Sequence, residues 1–247
     1  MSSTLEATDR SIRTHLEPRA ELAVLARALN RDGYCEHNAG HISVRTEQDT
    51  LLVTPRGLAW DELHASDIMH IDLEGKIIDG IWDVAPSLEL HYALHGTRKA
   101  GVVVHQHPEW CTVWACAGEI PEVYDQTSTY GGPVVLVAEY DGEFSNPNVA
   151  ERTVSLLGQN NTALLANHGA LVIGDNIRQA HQRAVALEWR CRLAWRVRAL
   201  NGPNTKPMNP ELVSVMQKDL DARGGYQPYL FDAMARREIR LDPTVVN

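Results

Sequence analysis

Gly101-Val102-Val103-Val104-His105-Gln106-His107-Pro108 ends an apolar run on two histidines and a proline. The run reads as a short buried strand. Side chains on a strand alternate between faces, so residues two apart point the same way. His105 and His107 then project from one strand end onto one face, a placement suited to two ligands of one metal ion. Neutral imidazole is the commonest protein ligand for zinc and similar divalent ions. A pair at this spacing also arises without any metal, so its meaning depends on what the rest of the chain brings to it.

Working outward, apolar residues at helical spacing (Leu22, Leu25, Ala26, Leu29) predict a helix over 18–30, stopped by Asp32-Gly33. Ile42 to Arg45 and Leu51 to Thr54 read as two strands joined by a polar turn, and Pro55-Arg56-Gly57 as a turn. A second hairpin is expected from Asp67 to Ile78 around Glu74-Gly75. Beyond it come a helix over 87–96, the 101–104 strand, a helix over 110–117 and a strand over 134–137. A helix follows over 148–157, capped by Asn146 or Asn148, then strands over 162–166 and 170–173 and a long helix over 176–200. The segment after Pro207 is expected to hold one more helix, over 210–221. Helices alternate with strands, yet several strands are joined by short turns. That predicts an α/β fold with a central mixed or antiparallel sheet covered by helices, not a doubly wound parallel sheet. The 247 residues suit one domain, with a core over about 19–200 and a helical tail over 201–247.

A third histidine has a similar setting. His168 follows the apolar run Ala163-Leu164-Leu165-Ala166 and precedes a glycine. Three histidines at strand ends can converge and leave a coordination position open, as catalytic metal sites do; taken alone, His168 reads equally well as a turn residue. Glu89 is the best-placed carboxylate, at the start of the helix before the His105 strand, where it could move protons. Helix starts also favour carboxylates through the helix dipole alone. His91 and His95 are four apart on one helix face, but the Glu of an H-E-x-x-H zinc site is missing, so packing is the plainer reading. His15, His64, His70 and His181 have no partner suggested by spacing.

Hydrophobic residues make up 44% of the chain and the formal net charge is −9. That is a globular composition with an acidic balance, so no nucleic-acid partner is expected. No apolar run approaches the roughly 20 residues that span a bilayer, so no membrane partner is expected. The N-terminal Met1-Ser2-Ser3-Thr4-Leu5-Glu6 has no secretory pattern. Cys35, Cys111, Cys116 and Cys191 lack framework spacing and read as free thiols in a reducing, cytoplasmic setting. The arginines Arg183, Arg190, Arg192, Arg196 and Arg198, and Arg236, Arg237 and Arg240, read as solvated or intersubunit faces.

Five ordered segments make the chain resemble the class II aldolase/adducin family, typified by fuculose- and ribulose-phosphate aldolases. They are Gly40-His41-Ile42-Ser43-Val44-Arg45, Val53-Thr54-Pro55-Arg56-Gly57, Pro86-Ser87-Leu88-Glu89, His105-Gln106-His107-Pro108 and Asn167-His168-Gly169. The resemblance covers about Arg19 to Leu200. It implies a helix-covered mixed sheet and a homotetramer with sites at subunit interfaces. It implies one divalent metal per subunit held by His105, His107 and His168, with Glu89 as acid/base. Zn²⁺ is the first expectation, and Mn²⁺, Fe²⁺ and Co²⁺ also fit.

The departures from the sugar-phosphate aldolase pattern are informative. Gly40-His41 stands where Gly-Asn is usual. Arg56 interrupts a motif of small hydroxylic residues that hold phosphate, and Ser87-Leu88-Glu89 replaces Ser-Ser-Glu. Two phosphate hydroxyls are thereby lost, and a guanidinium suited to a planar carboxylate is offered instead. The segment from Glu89 to His105 is also about three residues shorter than the aldolase pattern. The Gly-His-Ile-Ser form is more similar to decarboxylases of hydroxylated aromatic dicarboxylates. The expected function is therefore a metal-dependent carbon–carbon lyase, a decarboxylase of a small carboxylated and hydroxylated substrate. Glu89 or His41 would handle protons, and Asn38, Arg56, Gly57, Ser87, Tyr124 and Tyr130 would face the substrate. The alternatives are an aldolase for a sugar phosphate or 2-oxo acid, and a non-catalytic adducin-head-like assembly module.

Overall fold

The computed structural model describes residues 15–138, 146–227 and 229–247. The first helix, α1 (Pro18–Arg31), opens on a proline, whose missing N–H leaves no bond unmade in a first turn. Four strands follow: β1 (His41–Arg45), β2 (Leu51–Val53), β3 (Met69–Ile71) and β4 (Ile77–Asp79). Then come α2 (Glu89–Arg98), β5 (Val102–Gln106), α3 (Glu109–Ala117), β6 (Val134–Val137), α4 (Pro147–Leu157), β7 (Thr162–Leu165) and β8 (Gly169–Gly174). The long α5 (Ile177–Leu200) is capped by Asn176, whose side chain accepts from Gln179 N at 3.1 Å. Asn146 caps α4, accepting from Asn148 N at 3.1 Å.

The strands form one mixed sheet in the order β4-β3-β2-β1-β5-β8-β7-β6. Every neighbouring pair is antiparallel except β6 with β7. Strand alternation divides the core between two faces. Val102 and Val104 of β5 pack with Leu22 and Leu25 of α1 and with Ala184 and Leu187 of α5. Val103 points the other way, into a cluster with Leu90 and Leu94 of α2 and Leu157 of α4. By the same alternation His105 shares the face of Val103.

The expected α/β fold with a helix-covered mixed sheet is what the chain forms. Two expectations need correction. The tail holds two helices, α6 (Pro210–Ala222) and α7 (Leu230–Leu241), not one. The second lays Phe231, Ala235 and Ile239 on the main core at helical spacing, and ion pairs distant in sequence tie it down: Glu238 accepts from Arg31 Nε at 2.6 Å, and Asp232 from Arg178 at 2.9 Å. The arginines of α5 are also not one solvated face. Arg190 is buried and donates to Pro121 O, Arg183 donates to Ile173 O at 2.6 Å, and Arg198 pairs with Glu119 and Glu122. Among the described residues, no helix is long and apolar enough to cross a membrane.

Gly101 sets the entry of β5. Its N–H donates to Gly174 O at 3.1 Å, and its carbonyl accepts from Arg45 N at 2.8 Å. A Cβ here would lie 2.1 Å from Asp175 O, a backbone atom. Gly101→Ala is therefore expected to destabilise the fold by about 1–3 kcal/mol, the usual range for overpacking. Urea unfolding would read this as a lower midpoint with an unchanged slope; an unaltered midpoint would show that the strand entry has slack.

Candidate metal centre

The three strand-end histidines converge. His168 Nε2 lies 3.0 Å from His107 Nε2 and 3.1 Å from His105 Nε2. One ligand atom from each falls within 4.8 Å of the other two. The sheet produces this closeness. β5 pairs with β8 so that His105 sits opposite Leu171 and Gln106 opposite Ala170. The β7–β8 turn then carries His168 back over the end of β5. Asn167 takes a left-handed backbone there (φ +56°), which asparagine tolerates better than most residues. Gly169 allows the close approach, since a Cβ would lie 2.6 Å from Gln106 O and 2.7 Å from His107 Cδ2.

The rings are oriented by their outer nitrogens. His105 Nδ1 lies 3.0 Å from Ala170 O. A carbonyl only accepts, so Nδ1 carries the proton and Nε2 presents a lone pair to the cluster. His107 Nδ1 bonds the Glu36 carboxylate, with the same result. This is the outer partnering that metal-binding histidines almost always show. Gln106, between the two, is pinned: its Nε2 donates to Ala39 O at 2.6 Å and its Oε1 accepts from His107 N at 2.7 Å. Burial pushes the His105 pKa well below the usual value, reinforced by His168 and His107, and that of His168 down to about 4. Both are neutral at neutral pH, the form a metal requires. Three converging imidazoles, with His105 and His168 held neutral and His105 and His107 anchored at Nδ1, fit a divalent metal.

His41 pairs with His105 across β1 and β5. Its Nε2 lies 3.0 Å from Ser87 Oγ. Its pKa is lowered to about 4, first by burial and then by the neighbouring His107 and Arg56. Arg56 is thus close enough for His41 to feel its charge. It is exposed and, among the described residues, makes no side-chain hydrogen bond or ion pair. Gly57 follows it in the turn with φ +88°. Glu89 opens α2, half-buried, and its carboxylate lies outside the three-histidine cluster. Asn38 is exposed in the loop that carries Glu36.

The remaining candidates lie apart from this group. Tyr124 packs against the main core, and Tyr130 lines a cavity with Arg183 and Lys218 that none of the three histidines enters. His91 and His95 face Ser43, not the cluster. His70 bonds Thr50 and His64 approaches Thr244, partners that the local sequence around these histidines does not suggest. Glu36 was missed by sequence reasoning: nothing in its spacing ties it to His107, 71 positions away. The only local signal was Gly40, four residues on, which has φ +83° and space for no Cβ against Gln106 and His105 O.

A cavity of about 650 Å³ opens over His107 and His168, walled by Glu36, Glu109, Thr112 and Cys116. Its size suits a small molecule. Comparison with known proteins agrees with this architecture. The chain is 31% identical over 199 residues to a 5-methylthioribulose-1-phosphate/5-deoxyribulose-1-phosphate aldolase of Rhodospirillum rubrum, covering 78% of this chain and 86% of the relative. It is 28% identical over 203 residues to a 3-oxo-tetronate 4-phosphate decarboxylase of Pectobacterium atrosepticum, covering 78% and 90%. In fold it is similar to the L-fuculose 1-phosphate aldolase from Glaciozyma antarctica, with a TM-score of 0.79 at 21% identity over 93% of this chain and 91% of that one. The model of the class II aldolase and adducin N-terminal domain matches residues 20–195, and the chain belongs to that family.

Proposed function

We propose that this carbon–carbon lyase decarboxylates a small hydroxylated carboxylic acid at the His105–His107–His168 centre. The observation that carries the choice is Arg56, an exposed guanidinium near His41 in a turn where the phosphate-binding relatives are expected to carry a small hydroxyl residue. His105, His107 and His168 would hold a divalent ion, Zn²⁺ first with Mn²⁺, Fe²⁺ or Co²⁺ also fitting, which would supply Lewis-acid polarisation of a substrate oxygen. The protein does the rest. Arg56 grips the carboxylate through paired N–H donors, with Gly57 keeping the turn open beside it. Ser87 and Asn38 line the approach. Glu89 or His41 holds the proton that must reach carbon when the carboxylate leaves.

A named decarboxylase among the relatives supports this reading. The 31% identical relative named as an aldolase favours a second one, cleavage of a sugar phosphate or 2-oxo acid. We also propose a homotetramer with sites at subunit boundaries, in which Tyr124 or Tyr130 would serve a neighbour's site. A solution mass near that of one 27.5 kDa chain, by analytical ultracentrifugation, would reject the tetramer.

Chelation is expected to abolish activity and Zn²⁺ or Mn²⁺ to restore it. His105→Ala should lose stoichiometric metal by elemental analysis, and Glu36→Gln should bind it about 10- to 100-fold more weakly. Full activity without metal would sink the lyase mechanism, and a wild-type protein that never binds metal would favour an assembly module. Arg56→Ala is expected to raise KM for a hydroxylated dicarboxylate roughly 10- to 100-fold, the loss of a charged hydrogen-bonded pair worth about 1.5–3 kcal/mol. Release of carbon dioxide, as against an aldehyde or pyruvate, decides between the two readings. An unchanged KM for the acid removes the carboxylate clamp.

A further inference from the structure

His91 and His95 stand outside the metal cluster, yet they are buried on α2 against Ser43, two residues along β1 from His41 and on the same face. Their bonds have only one consistent polarity. His95 Nδ1 lies 2.8 Å from Ala100 O, which can only accept, so Nδ1 carries the proton. Burial holds this ring's pKa down to about 4, so it is neutral and its Nε2 is a bare lone pair. That Nε2 lies 2.7 Å from Ser43 Oγ, so the hydroxyl donates its single proton there. Ser43 Oγ is also 2.7 Å from His91 Nδ1 and must accept from it. His91 is fully buried, with its pKa well below the usual value, so it too is neutral. Its Nε2 is therefore a buried acceptor in need of a donor, and no group among the described residues bonds it. An unpaired buried acceptor costs about 1–3 kcal/mol.

The neighbouring ring is His41, edge-on at 65° with 6.3 Å between centroids. Its Nδ1 is also buried and unbonded by any described residue, while its Nε2 meets Ser87 Oγ at 3.0 Å. We infer that His91, Ser43 and His95 are positioning residues that hold His41 as its Nδ1–H tautomer, through one buried water between His41 Nδ1 and His91 Nε2. The chain then runs one way: Ser87 donates to His41, His41 through the water to His91, His91 to Ser43, Ser43 to His95, and His95 to Ala100 O. Bonds aligned head to tail polarise and strengthen one another. The opposite tautomer of His41 would turn the water to donate to both rings, which satisfies each nitrogen but reverses the Ser87 bond and forfeits the head-to-tail alignment.

This inference rests on the reading of His41 as a proton-handling group and deepens it. His41 meets the site with an accepting nitrogen, as a base must: a substrate hydroxyl proton can reach it through Ser87, and the proton delivered to carbon then falls to Glu89. Ser87 has given its only proton to His41, so it offers a substrate lone pairs alone. It can receive a substrate hydroxyl but cannot donate to a phosphate or carboxylate oxygen. Anion recognition is left to Arg56, and Ser87 selects for a hydroxyl.

The test is ¹⁵N imidazole spectroscopy of the full chain loaded with Zn²⁺, with signals assigned from single His variants. The expected wild-type result is a protonated Nδ1 and bare Nε2 for His41, His91 and His95 alike. His91→Asn keeps a donor towards Ser43 and removes the Nε2 acceptor. It should mix or invert the His41 tautomer, leave Zn²⁺ content unchanged, and lower kcat about 10-fold or more with KM little moved, a part of the roughly 10²–10⁴-fold that positioned acid–base groups contribute. Ser43→Ala carries the same spectroscopic expectation should His91→Asn fail to fold. A wild-type His41 protonated at Nε2, or a His41 spectrum indifferent to both variants, overturns the proposal. Ring spectra need no turnover, so they stand whether or not carbon dioxide is released; a fully active His41→Ala would instead reject the base role and leave the tautomer chain intact.

Discussion

The antiparallel pairing of β5 with β1 on one side and β8 on the other is the constraint on which the site depends. It sets His105 opposite His41 in one register and opposite Leu171 in the other. A slip of one residue in either ladder would turn His105 into the α1–α5 core and bring a valine to the site. Register is held by the burial of Val102 and Val104 on one face and Val103 on the other. Gly40 and Gly169 flank the strand end where any side chain would strike Gln106 or His107. The hydrophobic layers thus do indirectly what a metal site needs, which is to place three nitrogens before any ion arrives.

The same placement sets the charge state of the site. His41, His91, His95, His105 and His168 are all pushed towards the neutral form, in each case mainly by burial. Five imidazoles so close could not all be charged, and a hydrogen-bonded neutral network is the stable alternative. Its protons are directed by fixed acceptors at the edges, Ala170 O for His105 and Ala100 O for His95. Positive charge is instead supplied from outside, by Arg56 in its exposed turn. A neutral interior of imidazoles thus meets a cationic rim at Arg56.

Much of this was legible because it was written in periodicity. The strand carrying His105 showed as an apolar run cut by a proline, and the sheet's mixed character followed from turns too short for helical crossovers. The three histidines announced themselves by ending apolar segments, and the ordered motifs joined them. What stayed hidden depends on side chains meeting across the fold. Glu36 sits in a loop with no pattern of its own. His91 and His95 had the right spacing for metal on one helix, but Ser43, from a strand nearly fifty positions earlier, claims them both. α7 does carry an apolar stripe, Phe231, Ala235 and Ile239, but arginines and acids crowd between them, and the ion pairs that tie it to α1 and α5 leave no local period.

Those charge pairs bear on how the molecule comes to be made. α1 is buried along almost its whole length, and part of its cover is α7: Arg31 binds Glu238, 207 positions later, and Arg27 binds Asp242 at 2.7 Å. The backbone of Ser66 likewise donates to Asn247 O. During synthesis at about 5–20 residues per second, α1 and the sheet are complete long before their last covering helix exists. α7 brings Phe231 and Ala235 as well as its ion pairs to the flank of α1, so the surface it closes is completed only when residues more than 200 positions apart have met.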